Sequence, residues 1–114
     1  MAFLQRLKFV MNTACVRHSA ILHSSIKKVA VCGGSGSFLL QKAIAAGADV
    51  LVTADFKYHE FFDAEGRMVI ADIGHYESEQ FTIELIYAIL AEKFPNFAIL
   101  KTNVNTNPVK YFIE

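Results

Sequence analysis

Met68-Val-Ile-Ala-Asp-Ile-Gly-His-Tyr-Glu-Ser-Glu79 is the stretch whose reading decides the fold. Its apolar first half predicts a buried strand over Met68–Ile73, with a turn at Gly74. A helix is expected from about His75 to Phe94, where Pro95 and Asn96 end it. His75 and Glu79 are four residues apart, so on a helix they share a face. With His75 at zero and about 100° per residue, Ile86, Leu90, Ile83, Ile89, Leu85 and Thr82 fall within roughly 80° of it. Gln80, Glu84, Tyr87, Ala91 and Glu77 fall opposite. The imidazole and the Glu79 carboxylate therefore continue the apolar stripe, and a carboxylate on a buried meridian calls for a cation. The competing reading is that of ordinary first-turn residues, since acids are favoured at helix starts. Two ligands also fall short of a complete metal site.

Working outward, strands and helices alternate. Ile26-Lys-Lys-Val-Ala-Val-Cys32 reads as an interior strand that breaks at Gly33-Gly-Ser-Gly-Ser37 and passes into a helix over Phe38–Ala46, stopped by Gly47. Asp49–Asp55 reads as the next strand, Lys57–Ala64 as a short helix and Glu65-Gly66 as a turn. Phe3–Met11 reads as a short amphipathic helix with Leu4, Leu7 and Val10 or Met11 inward. Thr13–His18 alternates as a strand would, and Ser19–Ser25 is a polar connection in which His18 and His23 read as surface residues. Phe97–Thr102 and Val109–Ile113 read as closing strands, the last one antiparallel because only the short polar loop 103–108 precedes it. The pattern is that of an α/β fold, a mainly parallel sheet with flanking helices.

In an open α/β sheet, sites form at the carboxyl ends of strands. That rule gathers Gly33–Gly36, Asp55, Asp72 and His75 at one edge. A strand, a Gly-rich turn and a helix can also aim backbone N–H groups at an anion. Gly34-Ser-Gly36, with Asp55 nineteen residues beyond it, imitates a dinucleotide fingerprint, but Leu39 stands where the third glycine belongs. A plain tight turn accounts for the same glycines.

The chain has 114 residues, 54% of them hydrophobic, which is enough for one modest domain with a core. Its net charge is zero, which argues against nucleic acid as a partner. Residues 1–48 carry Arg6, Lys8, Arg17, Lys27, Lys28 and Lys42 and no acid, so every Asp and Glu lies in the remainder. Such polarity suits contact between halves or between copies, and with ten Phe it leaves an assembly module without catalysis as a further reading. Cys15 and Cys32 belong to no metal-binding cluster, as expected of reduced thiols in a cytoplasmic protein. No apolar run approaches the ~20 residues a membrane span needs.

Four motifs in order carry a family resemblance: Lys28-Val-Ala-Val-Cys-Gly-Gly-Ser-Gly-Ser37, Ala46-Gly-Ala-Asp-Val-Leu-Val-Thr-Ala-Asp-Phe-Lys-Tyr-His59, Asp72-Ile-Gly-His-Tyr-Glu-Ser-Glu79 and Asn105-Thr-Asn-Pro108. From about Phe3 to its end, the chain resembles the C-terminal lobe of the Nif-three-like dinuclear metal-centre family, whose members are often labelled GTP cyclohydrolase 1 type 2 homologues. The resemblance implies a two-lobed α/β protein with two divalent metal ions, Zn, Mn or Fe, in the cleft between the lobes. It implies His75 and Glu79 as ligands from the Gly-His-x-x-x-Glu segment. The other lobe would supply a His-His pair and a His-x-x-x-Asp segment. Neither is carried over here: no two histidines are adjacent, and His59 before Asp63 sits in another motif.

Residues 1–25 resemble the return from a domain inserted between the lobes, and hexameric rings are the implied assembly. The activity expected of the intact protein is metal-dependent hydrolysis of a nucleotide-like or phosphorylated small molecule. His59 and Asp55 are then candidate acid/base groups or supports of the ligands. Gly33, Gly34, Ser35, Gly36 and Lys57 are candidates for anion binding, which could also stand alone as a phosphate- or nucleotide-binding module. Ala54 and Asn107 depart from the family's usual glycine and aspartate. The lobe by itself is expected to bind metal weakly and to turn nothing over.

Overall fold

Val50-Leu-Val-Thr-Ala54 and Val69-Ile-Ala-Asp72 are buried at every position, the pattern of interior parallel strands covered on both faces. The computed structural model describes residues 1–22 and 25–114; His23 and Ser24, with the expectation that His23 is a surface residue, lie outside the described residues. The elements are α1 (Ala2–Val10), β1 (Arg17–His18), β2 (Val29–Ser35), α2 (Leu40–Ala45), β3 (Val50–Ala54), β4 (Val69–Asp72), α3 (His75–Glu79) and α4 (Thr82–Lys93). Two 3-10 segments, Ser37–Leu39 and Tyr58–Ala64, complete them. The strands form one sheet in the order β1-β4-β3-β2. β2 pairs with β3, and β3 with β4, in parallel, whereas β1 pairs antiparallel with β4. The mixed, mainly parallel α/β class expected from the sequence is the one observed.

The chain divides into two units, Met1–Ser78 and Glu79–Glu114. In the first, the sheet is a middle layer. On one face α2 and the Tyr58–Ala64 segment contribute to a core of Leu40, Ala43, Ala48, Leu51, Phe56, Ala64, Met68 and Ile70. On the other, Phe3, Leu4, Leu7 and Met11 of α1 and its end pack on Val50, Val52, Val69, Ala71 and Ile73. Met11 is thus the inward residue, while Val10 stays exposed. Gly47, at φ +74°, stops α2 as expected, and Lys28 Nζ caps it by donating to the Ala46 carbonyl.

Several boundaries differ from the sequence reading, each for a local reason. β2 does not end at Cys32 but continues through Gly33 and Gly34 to Ser35, with a register shift after Val31. Thr53 Oγ1, fully buried, donates to the Gly34 carbonyl and holds that extension against β3. The helix expected from His75 to Phe94 is two helices, separated at Gln80 and Phe81. Ser78 Oγ donates to the His75 carbonyl oxygen, a side-chain bond that competes with helix propagation.

The second unit contains α4, none of whose residues is buried; Ile83, Leu85, Ile86, Ile89 and Leu90 are all exposed. Lys101 pairs with Glu84 and lies over the Tyr87 ring. The strands expected at Phe97–Thr102 and Val109–Ile113 are not formed. Among the described residues neither segment has a ladder partner. In the loop between them, Thr102, Asn105 and Asn107 side chains accept the N–H groups of Val104, Asn107 and Val109, ordinary turn chemistry. The antiparallel strand of the sheet is therefore β1, from the N-terminal part, and not the C-terminal segment. No helix among the described residues is long and apolar enough to cross a membrane.

Candidate functional site

The carboxyl ends of the parallel strands converge as the topology requires. β3 ends at Ala54, and Asp55 follows in the left-handed region at φ +59°. Asp is one of the few residues other than Gly that enters this region readily. The turn aims its carboxylate at the Gly74–His75 corner that follows β4. Asp55 Oδ2 accepts from His75 Nδ1 and from Ser35 Oγ at the end of β2. A carboxylate only accepts, so Nδ1 carries a proton, and in a neutral ring Nε2 would hold the lone pair. The His75 bond, then the Ser35 bond, hold the Asp55 carboxyl below its ordinary value of 3.8; partial burial opposes them and loses.

Beneath this pair lies Asp72, buried at the end of β4. Its Oδ1 accepts the Gly74 N–H at 3.0 Å and its Oδ2 the Phe56 N–H at 3.0 Å. Arg17 of β1 pairs with the same carboxylate and donates to the Phe56 carbonyl at 2.7 Å. The Arg17 guanidinium also lies over the Phe61 ring. Beside it opens a pocket of about 560 Å³ whose walls include His18, Tyr58, Phe62 and Met68.

His75 and Glu79 occupy the two ends of the five-residue α3. Both are exposed, His75 by 51% of its side chain, and the buried acid of this helix is Glu77. The inward stripe expected through His75 and Glu79 is therefore corrected. Helical phase does not carry across the break at Gln80–Phe81, so α4's apolar residues say nothing about where α3 points. His59 is exposed, its ring edge-on to Tyr58, and among the described residues it makes no hydrogen bond to Asp55 or His75. Lys57 caps the Tyr58–Ala64 segment through its backbone, its N–H donating to Glu60 Oε1 at 2.7 Å.

Gly33, Gly34 and Ser35 belong to β2, and Gly36 starts the short 3-10 turn. The Gly34 N–H donates to Ser78 Oγ at 2.7 Å, and the Ser35 hydroxyl is directed to Asp55. Sequence reasoning missed the roles of Arg17, Ser35 and Ser78 around this corner. Among the described residues no three His, Cys, Asp or Glu side chains are grouped as a metal site would need.

The model of the Duf34/NIF3 family (NGG1p interacting factor 3) matches residues 1–108. The chain belongs to the Duf34/NIF3 family. A protein of Staphylococcus epidermidis named GTP cyclohydrolase 1 type 2 homolog is 40% identical over 114 residues, covering 96% of this chain and 31% of its own length. A Staphylococcus aureus protein of the same name is 35% identical over the same span. The chain thus spans about a third of the length of the curated relatives it matches. Among solved structures, Staphylococcus aureus protein SA1388 superposes with a TM-score of 0.89 at 31% identity, over 97% of this chain and 38% of that one. A Bacillus cereus protein related to NIF3 gives 0.87 at 29% identity, over 97% and 32%. The Duf34/NIF3 membership expected from four motifs and their spacing is thereby established, along with the fold.

Proposed function

We propose that this chain is the metal-binding C-terminal lobe of a larger Duf34/NIF3 protein, with His75 and Glu79 as ligands to divalent ions. The observation that carries the reading is the bond from His75 Nδ1 to Asp55. A metal-ligating histidine characteristically donates its other ring nitrogen to a carboxylate, which fixes the tautomer and raises the basicity of the ligating nitrogen. In this reading Nε2 is the nitrogen that would coordinate the metal. Glu79, four residues on in the same helix, matches the Gly-His-x-x-x-Glu spacing. The donor set of imidazole and carboxylate suits Zn, Mn or Fe.

Two divalent ions at such a centre supply an activated water and charge stabilisation for hydrolysis. The relatives' name supports a nucleotide-like or otherwise phosphorylated substrate for the whole protein. Asp55 orients His75 and Ser35 orients Asp55. The anion-binding role of Gly33–Gly36 and Lys57 has weaker support, because the Gly34 N–H is already engaged by Ser78. His59 remains a candidate acid/base group only through its place in the Lys57-Tyr-His59 motif. Homo-oligomeric assembly of the whole protein belongs to the same proposal.

The test is zinc or manganese titration of the chain, followed by metal analysis after dialysis. Weak binding that is lost in His75→Ala and in Glu79→Ala is expected. Binding of equal strength in both variants would remove the basis for the assignment.

A further inference from the structure

Asp72 ties together the two backbones that carry the Asp55–His75 pair. Phe56 directly follows Asp55, and Gly74 directly precedes His75; the one Asp72 carboxylate accepts the N–H of both, each at 3.0 Å. Positive φ values adjoin this clamp, at Asp55 (+59°) just before Phe56 and at the clamped Gly74 itself (+96°). Non-glycine residues in that region persist when surrounding bonds over-determine them. The third donor is Arg17, which reaches Asp72 and the Phe56 carbonyl with the same Nη2 atom. Asp72 is 4% exposed, and a buried carboxylate is costly without a countercharge.

We infer that Asp72 is a positioning residue, with Arg17 as its countercharge. By fixing Phe56 and Gly74 relative to each other, it sets the distance across which Asp55 meets His75. Its oxygens are engaged by two N–H groups and a guanidinium, so it acts through the backbone and not on a ligand. The consequence for metal affinity rests on the reading of His75 as a ligand; the positioning itself does not.

An amide at position 72 keeps the shape of the side chain but offers one acceptor oxygen instead of two. Its NH2 would then face an N–H of Phe56 or Gly74, and one of the two backbones would be released. In Arg17→Gln the carboxylate stays but its countercharge is gone.

The readout is the His75 imidazole in the metal-free chain, followed by long-range proton–nitrogen NMR above its titration range. The wild-type ring should be the Nδ1-protonated tautomer, and Asp55→Asn should define the spectrum of a ring without its carboxylate. Asp72→Asn and Arg17→Gln should both move His75 toward the Asp55→Asn spectrum. Val31→Ala, at an exposed position of β2 outside the clamp and the pair, should not. Zinc affinity should fall about 10- to 100-fold in Asp72→Asn, the usual effect of losing a ligand's supporting partner. A folded Asp72→Asn chain with the wild-type His75 spectrum would overturn the inference. An unchanged ring in Arg17→Gln would overturn the countercharge role of Arg17. If Asp72→Asn fails to fold, Asp72→Glu, which keeps the charge but displaces the clamp, decides by the same spectrum, an unchanged ring again overturning the inference. A wild-type chain that binds no zinc would defeat the metal reading, while the tautomer comparison would still decide the role of Asp72.

Discussion

The Asp55 carboxylate accepts a hydrogen bond from Nδ1 of His75, twenty residues further along the chain, across the carboxyl ends of two adjacent parallel strands. Neither residue could make this bond from a regular strand. Asp55 must leave β3 through a left-handed turn, and His75 must be delivered by the Gly74 corner. The pair is about half accessible, 51% and 48% of the two side chains, so it is not a buried structural ion pair.

That relationship predicts separate effects on metal and on fold. Asp55→Asn keeps a side chain that tolerates the left-handed backbone but takes away the carboxylate. Zinc affinity should drop about 10- to 100-fold. Stability should change by less than about 1 kcal/mol, as expected of a half-exposed polar position. Asp55→Val should add a backbone cost of about 1–3 kcal/mol, since a β-branched residue is a genuine outlier at positive φ. Calorimetric zinc titration and urea unfolding of the two variants separate these terms.

The parallel core is legible in the sequence because β3 and β4 are short continuous apolar runs bounded by turn residues, a pattern set by burial on both faces. The antiparallel strand is not legible. Thr13–His18 and Val109–Ile113 both read as strands, and the pairing of Arg17 with Asp72 and of His18 with Ala71 is what sets the first in the sheet. Periodicity also cannot see the break at Gln80–Phe81, because it measures a face and not the competition from Ser78. The site's members, Asp55, Asp72 and His75, follow from the strand-end rule. Their bonding does not, since it depends on the backbone angles of Asp55 and Gly74.

The sheet's other end offers a pH test remote from the site. Asp49 Oδ2 accepts the N–H groups of Lys28 and Lys27, each at 2.8 Å. These bonds, Lys28 first, hold its carboxyl below the ordinary 3.8. A carboxyl lowered in the folded state adds stability above its unfolded value, and that contribution fades as pH falls through the lower folded value. Asp49→Ala should therefore melt below wild type at pH 6, and the gap should narrow on acidification below about 3.8. Melting curves at pH 6, 4 and 3 check this; a gap that widens in acid contradicts it.

Ile70 sits in β4 with no exposure, within the core that also holds Leu51, Phe56 and Met68. Ile70→Ala should cost about 2–5 kcal/mol, the range for emptying a closed core position. Val31, 74% exposed on β2, should tolerate Ala within about 0.5 kcal/mol. Urea midpoints at constant slope measure both.

Gly36 is where the Gly-rich turn meets the sheet most closely. A Cβ there would lie 2.2 Å from Thr53 Oγ1 and 2.9 Å from the Cys32 Cβ. Thr53 cannot yield easily, because it is fully buried and its hydroxyl holds the Gly34 carbonyl. Gly36→Ala should therefore destabilise the fold by about 1–3 kcal/mol through overpacking. It should also disturb the Ser35 bond to Asp55, since Ser35 is the adjacent residue. Combining it with Thr53→Ala removes the clashing oxygen, so the double variant should lose less than the sum of the two single changes. Gly66→Ala is the control: nothing lies within 4 Å of its added carbon, and its φ of +69° leaves only backbone strain of about 1 kcal/mol. Simple additivity of Gly36→Ala and Thr53→Ala in urea unfolding would show that the turn's glycine is needed for its backbone alone, and not for the close approach of Thr53.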